Sequence, residues 1–181
     1  SMEKPLPQYL TDFLEYCEVE KGLSATTTRN YARFLQRFFA WLAKEKLADL
    51  RPSELTEQQV SKYRLALAHS PNAVRKANQG LHQSTQTRYL IALRSLLMYF
   101  HEKNIPALPT EKIKLPKERE ERLVKFLDLE RVEKLLAAPD GKTTAGLRDR
   151  AILETLFSTG LRVAELAALE RKQFSGIAGK K

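Results

Sequence analysis

The chain has one cysteine, three histidines and no long apolar run, and each scarcity removes a class of function. Cys17 alone can form neither an internal disulfide nor a multi-cysteine metal site. His69, His82 and His101 are not clustered at ligand spacing, so no zinc or other metal site is expected. No stretch approaches the roughly 18 apolar residues of a membrane span, and no charged-then-apolar signal pattern opens the chain. A soluble, cytoplasmic protein with no membrane partner is the expectation. Glycine is scarce where it would break helices, with only Gly22 and Gly80 in the first hundred positions. Acidic residues are missing altogether from 21–44 and from 58–101.

The 181 residues are 43% hydrophobic, enough for one ordinary domain or two small ones with a real core. The formal charge of +9 is unevenly spread. Residues 1–22 carry 2 basic and 5 acidic side chains, 23–104 carry 13 and 5, and 105–181 carry 16 and 12. The basic excess therefore sits in the middle, largely in the two acid-free stretches, as in a protein that faces phosphates.

Apolar spacing of three and four predicts helices. Leu6, Leu10, Phe13, Leu14 and Cys17 form one stripe, ended by Gly22 in a left-handed cap. Ser24 caps a second helix to about Glu45, with the stripe Tyr31, Leu35, Phe38, Phe39 and Leu42. Thr56 and Gln59 form a capping box for a third, bearing Val60, Tyr63 and Leu67. A polar loop over 70–83 leads to a fourth helix, opened by Ser84 or Thr85 and ending near Asn104, with Tyr89, Leu93, Leu96, Leu97 and Phe100 inward. Pro106, Pro109 and Pro116 mark 105–121 as an extended linker. Beyond it Asp128 caps a helix carrying Val132, Leu135 and Leu136, and Pro139-Asp140-Gly141 turns the chain. Helices over Leu147–Phe157 and Leu161–Leu169 flank the turn Ser158-Thr159-Gly160, and 175–181 reads as the start of a turn or strand. Residues 122–181 are too few for much of a core.

Arg29, Arg33 and Arg37, at i, i+4 and i+8, run along one side of the second helix, with Thr26, Thr27 and Thr28 at its start. Guanidinium groups and helix-start amides suit a duplex backbone. The same row is also what a solvated basic face looks like; the missing acids favour phosphate. Thr85, Thr87, Arg88 and Arg94 repeat the theme on the fourth helix, where Arg and Thr could meet base edges in a major groove. Trp41, Phe38 and Phe39 sit on or beside the buried stripe, which favours packing over base stacking.

The run Gly22-Leu23-Ser24-Ala25-Thr26-Thr27-Thr28-Arg29-Asn30-Tyr31, followed by Leu35, Phe38 and Trp41-Leu42, resembles the opening of the core-binding domain of tyrosine recombinases of the Xer and phage-integrase family. Thr87 to Phe100 is similar to a later helix of that domain. Leu147-Arg148-Asp149-Arg150-Ala151-Ile152-Leu153 leading to Ser158-Thr159-Gly160-Leu161-Arg162-Val163-Ala164-Glu165-Leu166 resembles the family's first catalytic-arginine motif.

The resemblance implies a mainly α fold. A SAM-like helical core-binding bundle would occupy 1–104, a linker 105–121, and the helical, incomplete opening of an α+β catalytic domain 122–181. It implies a clamp on double-stranded DNA, site-specific recombination or integration at an inverted-repeat site, and a tetrameric parent on two duplexes; this chain alone is expected to be a monomer. Arg162 carries over as the first catalytic arginine, where a guanidinium would neutralise charge growing on phosphate oxygens, with Glu165 in support. The family reaction passes through a 3′-phosphotyrosine and needs no cofactor. The family's nucleophilic tyrosine lies downstream of that arginine, whereas all six tyrosines here precede Arg162. No histidine here has an arginine three residues later, as the family's His-x-x-Arg pair requires. The chain is therefore expected to stop short of the nucleophile, to bind DNA and not to cleave it. A non-enzymatic accessory DNA-binding protein and a helical protein-interaction adaptor remain as alternatives.

Overall fold

The computed structural model describes residues 3–70, 80–115 and 126–174, and among these all regular structure is helical. The chain divides into two compact units, residues 1–120 and 121–181. In the first, a 3-10 turn over Leu6–Tyr9 runs into α1 (Leu10–Val19), followed by α2 (Ala25–Lys44), α3 (Glu57–Ala68) and α4 (Gln83–Glu102).

The helix boundaries follow local chemistry. Gly22, at φ +60°, makes the left-handed turn that lets the Leu23 N–H reach the Cys17 carbonyl at 3.0 Å. Ser24 Oγ accepts the Thr27 amide at 3.3 Å. At α3 the capping box closes both ways: Thr56 Oγ1 accepts the Gln59 amide at 3.3 Å, and Gln59 Oε1 accepts the Thr56 amide at 2.7 Å. The start of α4 differs from expectation. His82 is the cap, its Nδ1 accepting the Ser84 amide at 3.3 Å, so Ser84 and Thr85 lie inside the first turn. Histidine is not among the preferred capping residues, so no local signal marked it.

Stripes from the four helices converge on one core. Leu35, Phe38 and Leu42 from α2, Val60, Tyr63 and Leu67 from α3, and Leu93, Leu96, Leu97 and Phe100 from α4 are all at most 3% exposed. Edge-on aromatic pairs, Phe38 with Tyr63 at 4.9 Å and Tyr9 with Phe100 at 5.0 Å, lock the layers together. Tyr31 lies at the rim, half-buried, with its hydroxyl accepting a hydrogen bond from Ser95 at 3.3 Å. Phe34, outside the expected stripe, is buried against Tyr89 with ring centroids 4.7 Å apart.

The described part of the connector is not a free spacer. Over 105–115 the prolines alternate with apolar residues, and this strip lies on the bundle. Ile113 is 1% exposed, and Ile105, Ala107, Leu108 and Leu115 pack partly against the core. A 3-10 turn over Thr110–Lys112 brings Lys112 Nζ within 3.5 Å of Glu57. Pro116 and the remainder of the expected linker lie outside the described residues.

The second unit holds α5 (Leu129–Ala137), α6 (Thr144–Thr159), α7 (Val163–Ala167) and a 3-10 turn over Arg171–Phe174. Asp128 Oδ1 caps α5 through the Arg131 amide at 2.8 Å. Thr143 Oγ1 caps α6 through the Gly146 amide at 3.0 Å, which starts that helix earlier than Leu147. α7 is shorter than the expected Leu161–Leu169. Among its described residues no hydrophobic side chain is buried. Residues 175–181, read as a turn or strand, lie outside the described residues.

Candidate nucleic-acid interface

Three cross-contacts set α2 against α4: Tyr31 with Ser95, Phe34 with Tyr89, and Arg37 with Tyr89. As numbers rise on α2 they fall on α4, so the two helices run antiparallel. Their outward sides, which carry the expected DNA contacts, belong to one bundle face.

Charge is sorted across the first unit. Ion pairs cluster around α1 and the end of α4: Lys21 with Glu102 at 2.9 Å, Lys103 with Glu20, just past α1, at 2.6 Å, and Lys4 with Asp12. Tyr16 donates to Glu102 at 2.5 Å, and this bond with the Lys21 ammonium holds the Glu102 carboxyl below the usual range. Arg29, Arg33, Arg37, Arg88 and Arg94 make no ion pair with any of the described residues. The acid-free stretches of sequence thus become a cationic face whose field no carboxylate among the described residues cancels by contact.

The expected residues do not all stand alike on that face. Arg29 and Arg33 are exposed, Arg33 with its guanidinium 5.2 Å from the Phe34 ring. Arg37 turns toward α4 instead. It donates to Tyr89 Oη at 3.3 Å and to Ser70 Oγ at 2.5 Å, and lies 5.3 Å from the Tyr89 ring. It thereby ties α2 to α4 and to the end of α3. Neither partner is near in sequence, so nothing local distinguished Arg37 from Arg29. Thr26 is exposed, whereas Thr27 Oγ1 lies 3.0 Å from Ser24 Oγ and Thr28 Oγ1 donates to the Ser24 carbonyl at 3.2 Å. Those two hydroxyls build the helix start.

On α4, Arg88 is exposed and Thr85 half-buried, while Thr87 Oγ1 donates back to the Gln83 carbonyl at 3.0 Å. Arg94 is half-buried on the side facing the connector; hydrogen bonds from the Glu111 amide and the Thr110 hydroxyl hold the Glu111 carboxyl below its ordinary value, and the Arg94 charge adds to this. Trp41 packs against Phe38 and Tyr63, at centroid distances of 6.0 and 5.3 Å.

In the second unit Gly160, at φ +66°, ends α6 with a left-handed turn that few other residues adopt. Arg162 then stands one residue before α7 and not within it. Glu165 reaches back with both oxygens: Oε2 accepts the Arg162 backbone N–H at 2.7 Å and Oε1 accepts Nη1 at 3.1 Å. One carboxylate therefore caps the helix and aims the guanidinium, which is 85% exposed and has donors left for a ligand. Arg148 and Arg150 are paired with Asp149 and Glu154.

Residues 10–104 match the family described as phage integrase, N-terminal SAM-like domain. The chain is similar to the tyrosine recombinase XerC of Pelotomaculum thermopropionicum, 38% identical over 90% of this chain and 51% of that protein. It is 37% identical to the tyrosine recombinase XerD of Listeria innocua, over 89% of this chain and 51% of that protein. A tyrosine recombinase XerD of Vibrio vulnificus is 29% identical over 92% of this chain. The chain spans about half the length of these curated relatives. No solved structure matches it.

Proposed function

Because this chain belongs to the phage-integrase family of tyrosine recombinases through its SAM-like helical domain, we propose that it binds double-stranded DNA by the outward sides of α2 and α4. One observation carries the reading: that face presents arginines with no ion-pair partner among the described residues, on stretches of sequence without a single acid. Arg29, Arg33 and Arg88 are assigned to phosphates, together with Thr26 and the open amides at the start of α2. Thr85, Thr87 and Arg94 line the same approach. Arg37 is assigned a positioning role, fixing α2 against α4 so that both meet one duplex.

The bundle, residues 1–104, is the DNA-binding domain on this reading, and 122–181 opens a catalytic domain acting in the cytoplasm. Arg162, oriented by Glu165, would donate to the nonbridging oxygens of a scissile phosphate. The six tyrosines all belong to the helical bundle. Tyr9 accepts from the Lys4 amide, Tyr16 donates to Glu102, Tyr31 and Tyr89 accept from Ser95 and Arg37, and burial pushes the Tyr63 and Tyr99 phenols up. This stretch of chain therefore holds DNA without cleaving it, as a monomer. Strand exchange at an inverted-repeat site belongs to the tetrameric whole recombinase.

Fluorescence anisotropy on a random duplex across a salt series tests the proposal. Affinity should fall steeply with salt, and Arg29→Ala/Arg33→Ala should make the log–log slope shallower by about 1.8, near 0.9 per lost phosphate contact. A folded chain that does not bind, or binds without regard to salt, would overturn it in favour of an adaptor for protein partners.

A further inference from the structure

Ile91 lies where the DNA-binding reading leaves it unexplained. Successive residues of an α-helix step by about 100°, so Thr87, Ile91 and Met98 share one narrow stripe of α4, with Ser95 and Arg88 on one side and Arg94 on the other. The stripe is bounded by packing. Ser95 and Tyr89 face α2, while the connector lies against α4 near Arg94 and His101. Ile91 is therefore central to the outward face, 38% exposed, and Met98 two turns on is 47% exposed. An apolar side chain amid arginines gains nothing from a phosphate. A helix seated in the major groove points its flanks at the two phosphate rows and its middle at the base edges, where the only apolar group is the 5-methyl of thymine.

We propose that Ile91 is a specificity-determining residue that packs on a thymine methyl group in the bound site. The inference rests on the DNA-binding reading, and adds to it that one position is read by apolar contact and not by hydrogen bonds. Arg88 and Arg94, on either side, supply charge without choosing a base, so the preference for thymine depends on the methyl group alone.

Deoxyuridine lacks only that methyl, which makes the test specific. Duplexes that bind the full chain tightly are selected from a randomised pool, and each thymine in a selected duplex is replaced singly by uracil. Wild type should lose about fourfold in affinity at one position, the worth of one buried methyl-sized group. Ile91→Ala, an exposed change to the best helix former, should bind thymine and uracil alike there while keeping its salt dependence and its far-UV spectrum. Uracil tolerated at every position overturns the inference, as does a uracil penalty that persists in Ile91→Ala. A pool that binds in a salt-dependent way without enriching any sequence also overturns it, yet leaves the DNA-binding reading standing. No binding by any duplex would remove both.

Discussion

The two units are built from the same local chemistry and end in different states. Both contain helices opened by a Ser, Thr or Asp cap and bearing an apolar stripe. In the first unit every stripe is covered: the buried hydrophobic residues run from Leu6 to Ile113. In the second, Leu129, Leu135, Leu147, Phe157 and Val163 are exposed despite equally regular spacing. Helix formation needs only neighbours along the chain, whereas burial needs partners far away in sequence. Short helices without such partners are marginal in water. The contrast teaches that capping and periodicity specify where helices lie, and that stability comes from the coverage of their stripes.

Truncating one side chain in each unit should give opposite results. Phe38→Ala should destabilise the chain by about 3–5 kcal/mol, because it removes a ring packed on Tyr63, Phe39 and Trp41. Leu135→Ala, at a site 47% exposed, should change the main urea transition by less than about 0.5 kcal/mol. A large effect at Leu135 would mean that its stripe is covered in solution.

Caps sharpen the same point at a smaller scale. Thr56→Ala removes the acceptor for the Gln59 amide and should lower the main transition by about 1 kcal/mol, or roughly 4 °C for a unit of this size. Thr143→Ala removes an equivalent bond at α6, yet should leave that transition in place and lower only the helical signal of the second unit. Equal shifts in a thermal scan would show that the two units unfold together.

Much of this architecture was legible in advance, and the misses share a cause. Ser24, Thr56, Asp128 and Gly22 stand at helix ends because side-chain caps and positive φ leave local signatures, and those were read correctly. Val60, Tyr63 and Leu67 were buried as spacing predicts. The misses depended on distant contacts. The prolines of 105–121 predict an extended linker, whereas Ile113 is buried and Ile105, Ala107, Leu108 and Leu115 pack on the bundle. The candidate site shows the same division. The arginine row was visible as an i, i+4 repeat, but that Arg37 faces Tyr89 and Ser70 depends on how α2, α3 and α4 assemble. Ile91 falls off the inward stripe by spacing alone, but that it sits between Arg88 and Arg94 on an uncovered side depends on how α2 and the connector pack on α4.

The smallest effect concerns a flaw within the well-packed unit. The Tyr63 hydroxyl is buried and has no hydrogen-bond partner among the described residues. Burial, only partly offset by the nearby Arg37 charge, pushes its phenol well up. A folded-state value above the unfolded one favours the folded chain fully below pH about 10 relative to ionised tyrosine; as pH rises past that value the unfolded chain ionises first and stability declines. Tyr63→Phe keeps the ring against Phe38 and removes the orphan group, so at neutral pH it should be neutral or stabilising by about 1 kcal/mol. Its stability should also fall less steeply above pH 10 than that of wild type. Destabilisation at neutral pH would instead mean that the hydroxyl has a bonded partner, most simply a water held near Arg37, and that this part of the interior is wet.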